Sequence, residues 1–248
     1  MANAVPIVNL GMLYMNNFQL SNDATTPNTI LDVAAGQCRD SANVYDIVGE
    51  AGSINFGGTG INGLDTGTIT ASKLYYIYVV SDPVNANATG YLASLSATPL
   101  IPNGYSVYRL IGYWASDASS NLLAGYVAGN NNLRKFKYDA PQATAVTAGN
   151  ATAYTAAALT NLVPILDNMP VSIAFAFTPG AASRVLNMTP GNAVGDAVTI
   201  TGQVTSVIVS GNAEVLAKVT SSVPEIDYKV SNSGDAVAIK VAGFEYFL

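Results

Sequence analysis

Histidine is absent from this 248-residue chain and cysteine occurs once. Without imidazole there is no Ser-His-Asp or Cys-His arrangement, no histidine-based zinc site, and none of the commonest general base at neutral pH. One cysteine cannot form an intrachain disulfide, and Cys38, with no histidine to activate it, is expected to be a buried structural thiol. Ionic groups are also scarce: 10% of residues are charged, against roughly 25% in an ordinary soluble domain. No stretch reaches the roughly 18 uninterrupted apolar residues of a membrane span. The apolar beginning, Met1 to Met15, lacks a basic flank and is interrupted by Asn3 and Asn9, so no signal peptide is expected. It reads instead as part of an amino-terminal arm (1–27) that docks on a neighbouring subunit, in a protein made in the cytoplasm.

Positive charge is the scarcer sign. Ten Lys and Arg face sixteen Asp and Glu, a formal net charge of −6, and the isoelectric point is about 4.4. A nucleic-acid backbone would be repelled, so no nucleic-acid partner is expected. Arg134, Lys135 and Lys137 form the single basic cluster and read as a solvated strand face.

Small neutral residues (Ala, Thr, Ser, Asn and Gly) stand in place of the missing charge. Such a surface is easily covered by another subunit, because little ionic desolvation opposes burial. Self-association is therefore the expected partnership.

Short apolar runs punctuated by Gly, Pro, Asn and Asp dominate, the pattern of strands and turns. Strands are predicted at Leu74–Val80, Tyr105–Trp114, Leu122–Val127, Val171–Phe177, Ala197–Thr201, Val204–Val209, Glu214–Val219, Ile226–Val230 and Ala236–Val241. Gly202, Gly211-Asn212 and Ser233-Gly234-Asp235 are read as tight turns between the later ones. Only Ala153–Leu166 has a helical look, ended by Pro164. The expected class is all-β, an antiparallel, jelly-roll-like β-sandwich with few helices. The Ala/Thr/Gly-rich connector 139–150 suggests two lobes, 28–140 and 141–248, with one composite domain as the alternative.

Chemistry finds few candidates. Glu225 and Asp227, two apart on a strand, would share a face, and Asp40 and Asp46 would meet if a loop folded back. A glycosidase needs such a pair, but one carboxyl must also sit in an apolar pocket. Gly57-Gly58-Thr59-Gly60 lacks the Gly-Lys-Ser/Thr ending of a phosphate loop and reads as a wide turn. Asp65-Thr66-Gly67 has no complete calcium-loop pattern. No enzyme activity, metal or cofactor is expected. The 14 tyrosines and single tryptophan raise carbohydrate binding, although most tyrosines fall inside strand patterns, where core or subunit interface is the expected destination. Trp114 is assigned to the core.

Two stretches carry a resemblance. One is Ile30-Leu-Asp-Val-Ala-Ala-Gly-Gln-Cys-Arg-Asp-Ser41, followed by Asn43 and Asp46. The other runs from Gly63-Leu-Asp-Thr-Gly67 through Tyr75-Tyr-Ile-Tyr-Val79, Pro102-Asn-Gly-Tyr105 and Arg109-Leu-Ile-Gly-Tyr-Trp-Ala-Ser-Asp117. Together they resemble surface proteins of tailed-bacteriophage virions, of the tail-fibre, minor-tail or head-decoration type. The ending Ala238-Ile-Lys-Val-Ala-Gly-Phe-Glu-Tyr246 is similar to the last strand of such chains. The resemblance implies a homotrimeric β-sandwich on the virion surface, in contact with major capsid or tail proteins, and no catalytic residues. The chain lacks a long shaft, which favours a compact capsid-decorating, cement or spike-like protein; a host-glycan adhesion module is the alternative. Arg39 and Arg109 lie in or beside apolar strands, and each is expected to pair with a carboxylate, Asp40 and Asp117 being the candidates.

Overall fold

The computed structural model describes residues 14–84, 88–129, 132–143, 146–191 and 198–248. It is all-β and antiparallel in almost every pairing, with no α-helix among the described residues. Among the described residues nineteen strands form three sheets. The first half supplies β1 (Met15–Asn17), β2 (Leu20–Asn22), β3 (Ile30–Val33), β4 (Gly36–Arg39), β5 (Asp46–Gly49), β6 (Gly52–Asn55), β7 (Gly63–Leu64), β8 (Leu74–Asp82), β9 (Ala88–Ser94), β10 (Val107–Ala115), β11 (Gly125–Ala128) and β12 (Leu133–Ala143). The second half adds β13 (Thr155–Ala158), β14 (Met169–Thr178), β15 (Arg184–Pro190), β16 (Val198–Gly202), β17 (Val209–Thr220), β18 (Val223–Val230) and β19 (Ala236–Phe247).

The small sheets have the orders β1-β4-β5 and β10-β8-β9-β7. The large one runs β16-β15-β18-β17-β14-β19-β12-β11-β2-β3-β6, with β13 attached to β18. Strands from both sides of the 139–150 connector share this sheet, because β12 pairs with the carboxy-terminal β19. The early chain is woven in rather than free: β1 pairs with β4, and β2 lies between β3 and β11. The first part of the expected arm, residues 1–13, lies outside the described residues.

Alternation explains the strands. In β14 the side chains of Met169, Val171, Ile173, Phe175 and Phe177 are buried, while the intervening Pro170, Ser172, Ala174, Ala176 and Thr178 are half-exposed. β8 is different: Tyr75, Ile77 and Val79 enter the main core, and Tyr78 and Val80 pack on the opposite side with Leu92. A strand covered on both faces reads as a continuous apolar run, which is the pattern of Leu74–Val80.

Aromatic rings join the layers. Trp114 on β10 meets Phe136 on β12 edge-on, with centroids 5.1 Å apart. Phe136 stacks on Phe244 of β19 at 5.0 Å. Tyr246, also on β19, returns the contact to β10 through Tyr113 at 5.0 Å. Phe56 beside β6 meets Tyr75 of β8 at 5.1 Å. Gly112 lets the sheets approach, since a Cβ there would come within 2.7 Å of Leu20.

Three local expectations are corrected. Ala153–Leu166 is not helical: Thr155–Ala158 is a strand on β18, and Leu159 and Val163 are buried beyond it. The positive φ of Asn161 and the ring of Pro164 break any helical run there. Gly211 and Asn212 lie inside β17, opposite Phe175 and Ala174, and not in a turn. Glycine at 211 suits the packing: a Cβ would sit a tight 3.3 Å from the Phe175 ring. The chain reverses earlier, around Ser206 (φ 59°), so of the strand expected at Val204–Val209 only Val209 belongs to one. Gly202 and the 233–235 segment do fall at strand ends.

Phe136 sits at the crossing of the layers, contacting Trp114, Tyr138 and Phe244. Phe136→Ala is expected to lower the unfolding free energy by about 3–5 kcal/mol, read from the shift in urea midpoint at unchanged m-value.

Candidate binding groove

A row of polar side chains lies on the outer side of β11, β2, β3 and β6. Along these strands alternate residues turn inward, so that Val127, Leu20, Val33 and Ile54 are buried. Their neighbours must then face outward. Register places these neighbours side by side: Tyr126 opposes Ser21, Ser21 opposes Asp32, and Asp32 opposes Ser53. On the far side of Tyr126 the row continues to Lys137. At a strand spacing of roughly 4.8 Å the four residues from Tyr126 to Ser53 span about 14 Å. They line an open groove of about 710 Å³ together with Gln19, Ala34, Ala51 and Ala128. Gly52 seats its strand against the Tyr91 ring, where a Cβ would approach within 2.9 Å.

The groove's polar side chains differ from the fold's turn carboxylates, which are held by nearby donors. The Asp23 carboxylate accepts from Thr25 and Thr26. Asp235 accepts from Gly180, Ser231 and Asn232. Asp65 accepts from the Leu100 amide and ties down the β9–β10 loop. By contrast, the side chains of Gln19, Ser21, Asp32, Ser53 and Tyr126 make no hydrogen bond to a described residue. Partial burial, with the negative Asp23 nearby, raises the Asp32 carboxyl above its ordinary pKa.

The ion-pair candidates are placed as follows. Arg39 pairs with Asp46, Nε to Oδ1 at 2.8 Å, and not with Asp40; its Nη1 also donates to the Asn43 carbonyl. Asp40 is occupied by the turn that follows β4, accepting from the amides of Ala42, Val44 and Tyr45. Asp117 likewise accepts from the amides of Ser119 and Asn121, closing the β10–β11 turn. Arg109 therefore meets neither carboxylate directly. It is buried, its Nη2 has no partner, and Asp40 acts on it only through space.

Arg134 overturns the reading of its cluster as a solvated face. It is fully buried, whereas Lys135 pairs across strands with Glu245 and Lys137 is exposed. The Arg134 guanidinium donates to the Asn17 carbonyl and contacts Met15 Sδ, leaving Nε and Nη1 unpartnered. Among the described residues no carboxylate pairs with Arg109 or Arg134. Desolvation pulls both guanidinium pKa values down. Between them lies the electrostatic setting of Cys38, which is free and buried. Burial pushes its thiol up to about 12, with Arg109 and Arg134 opposing the rise.

Glu225 and Asp227 do face the same side of β18. Glu225 opposes Lys218, and Asp227 opposes Thr189 and Ala156. Asp227 is buried and engaged. Residues 57–60 form the turn between β6 and β7. No cluster of three potential metal ligands occurs among the described residues, and none of their helices is long and apolar enough to cross a membrane. Trp114 is in the core, its indole N–H donating to the Leu123 carbonyl. The groove was missed in the sequence because Tyr126, Ser21, Asp32 and Ser53 are spread over a hundred residues. Only the alternation of short strands hinted that each faces outward.

No protein-family model matches this chain, and no curated protein matches it significantly. Among solved structures it is similar to the mosquito-larvicidal Cry4Aa toxin of Bacillus thuringiensis, at 10% identity and a TM-score of 0.23, covering 94% of this chain and 52% of the toxin. It is also similar to an exo-β-1,3-galactanase of Phanerochaete chrysosporium, at 12% identity and a TM-score of 0.19, covering 94% of this chain and 68% of the enzyme. The chain thus spans about half the length of the toxin it aligns with. Likeness at these TM-scores carries no argument about fold or activity.

Two outcomes follow from the buried groups. In the folded protein Cys38 should resist a thiol-disulfide reagent at about pH 8 and react fully once unfolded, because burial withholds the thiolate; labelling followed by intact mass measures this. Arg134→Met should leave the melting temperature unchanged or raise it, since losing one hydrogen bond is offset by removing an unpaired buried charge; calorimetry reads the sign.

Proposed function

We propose that this chain is a non-enzymatic structural protein of a tailed-bacteriophage particle. In this reading it decorates or cements the virion surface as a homotrimer, bound to copies of itself and to major capsid or tail proteins. The observation that carries the self-association is the outer face of the β17-β14-β19 region. Ser172, Ala174 and Ala176 on β14 oppose Gly243, Lys240 and Ala238 on β19 and Glu214, Asn212 and Ser210 on β17. The face is low in relief, with small side chains and few charges, so a flat partner can cover it at little desolvation cost. A stable interface needs roughly 800 Å² from each partner, and this face extends over three long strands. Val204, Val207 and Ile208 in the loop before β17, and Phe247 at the end of β19, add exposed apolar surface. The virion assignment draws on the sequence resemblance alone.

Native mass spectrometry of the purified chain at micromolar concentration is expected to show a trimer. Ala174→Arg, which adds bulk and charge to the half-exposed centre of the face, should convert it to a folded monomer with an unchanged circular-dichroism spectrum. A wild-type chain that stays monomeric would remove the proposal.

A further inference from the structure

We infer that the groove across β11, β2, β3 and β6 is a binding site for a neutral oligosaccharide. The inference does not depend on the oligomeric or virion reading. Its first support is the order of groups along one row: an aromatic ring, a hydroxyl, a carboxylate and a hydroxyl, from Tyr126 through Ser21 and Asp32 to Ser53. A sugar ring presents an apolar C–H face and a rim of hydroxyls. The Tyr126 ring, 41% exposed, offers the flat apolar surface that such a face stacks on, at small conformational cost. Carboxylate oxygens accept from pairs of hydroxyls, and serine hydroxyls both donate and accept.

Second, these groups are free. Five polar side chains line the groove and none hydrogen-bonds to a described residue, whereas the turn carboxylates Asp23, Asp40, Asp117 and Asp235 are each held by several donors. Third, the dimensions suit a chain of sugars: the row covers about 14 Å at the usual strand spacing, near the length of a trisaccharide. The groove's volume of about 710 Å³ falls in the range of small-ligand sites, roughly 300–1,000 Å³.

Charge selects the class of sugar. Asp32 in the groove floor, Asp23 close by and the net charge of −6 disfavour sialylated or sulfated glycans. Asp32 is also the sole carboxylate among the lining residues. Cleavage of a glycosidic bond by the usual mechanism requires two facing carboxyl groups, so the site retains its ligand without hydrolysing it.

Saturation-transfer NMR on the full chain tests this, with maltotriose, lactose and chitotriose as neutral probes and sialyllactose as the anionic control, each at millimolar concentration. Transfer to at least one neutral sugar is expected, concentrated on its C–H protons. Tyr126→Ala and Asp32→Ala should each weaken that binding about tenfold or more, while Tyr45→Ala, an equally exposed tyrosine outside the groove, leaves it unchanged. Melting curves close to wild type keep loss of binding distinct from loss of fold. Absence of transfer to all three neutral probes, preference for sialyllactose, or binding undiminished in Tyr126→Ala would each overturn the inference.

Discussion

The contact between β10 and the β12–β19 pair holds two layers of the fold together, and it is aromatic. Trp114, Phe136, Phe244, Tyr246 and Tyr113 touch in sequence, each ring within 5.5 Å of the next, so that the contact leaves one sheet, crosses two strands of the other and returns. Rings of this size remove large apolar areas from water and prefer the edge-on and offset geometries seen here. Because β12 belongs to the first half of the chain and β19 is its end, the same rings couple distant parts of the sequence. Folding of this core has to wait for the last strand, a long-range closure that is slow by nature.

Scarcity of charge shapes the remainder. Sixteen acids and ten bases serve 248 residues, and many of the acids are spent on turns, where backbone amides satisfy them. Two arginines are left in the interior without a paired carboxylate among the described residues. Such groups cost free energy in the folded chain, and at Cys38 their positive charge opposes the effects of burial, Asp40 and Asp46. On the outside, the same scarcity yields a face rich in alanine and serine and a groove whose hydroxyls and single carboxylate have no hydrogen-bond partner among the described residues. The two surfaces lie on the same large sheet, on different strands, with β12 between them.

Legibility varied with how local each feature was. The strands of β8, β10, β14, β18 and β19 were readable, because alternation or a doubly buried apolar run is written in consecutive residues. Trp114 and Cys38 were correctly assigned to the interior on size and chemistry. Gly211-Asn212 misled, since the pair suits a turn, while in the fold it pairs with Phe175 and Ala174 across the strand. Arg134 misled for the same reason: adjacent lysines suggested solvent, yet the alternation of β12 carried it inward. Arg39 found Asp46 across the β4–β5 pair, while Asp40, its neighbour in sequence, served the turn.

What the chain determined by itself was its class: without histidine, nearly without cysteine, poor in charge and dense in short apolar runs, it had few routes other than stacked antiparallel sheets. Tertiary structure alone decided which strands became neighbours. Side-chain alternation is a property of a few consecutive residues, but register between strands depends on turns and on the packing of rings from remote segments. The union of both halves in one sheet, the buried arginines and the row from Tyr126 to Ser53 all arise from that second, non-local step.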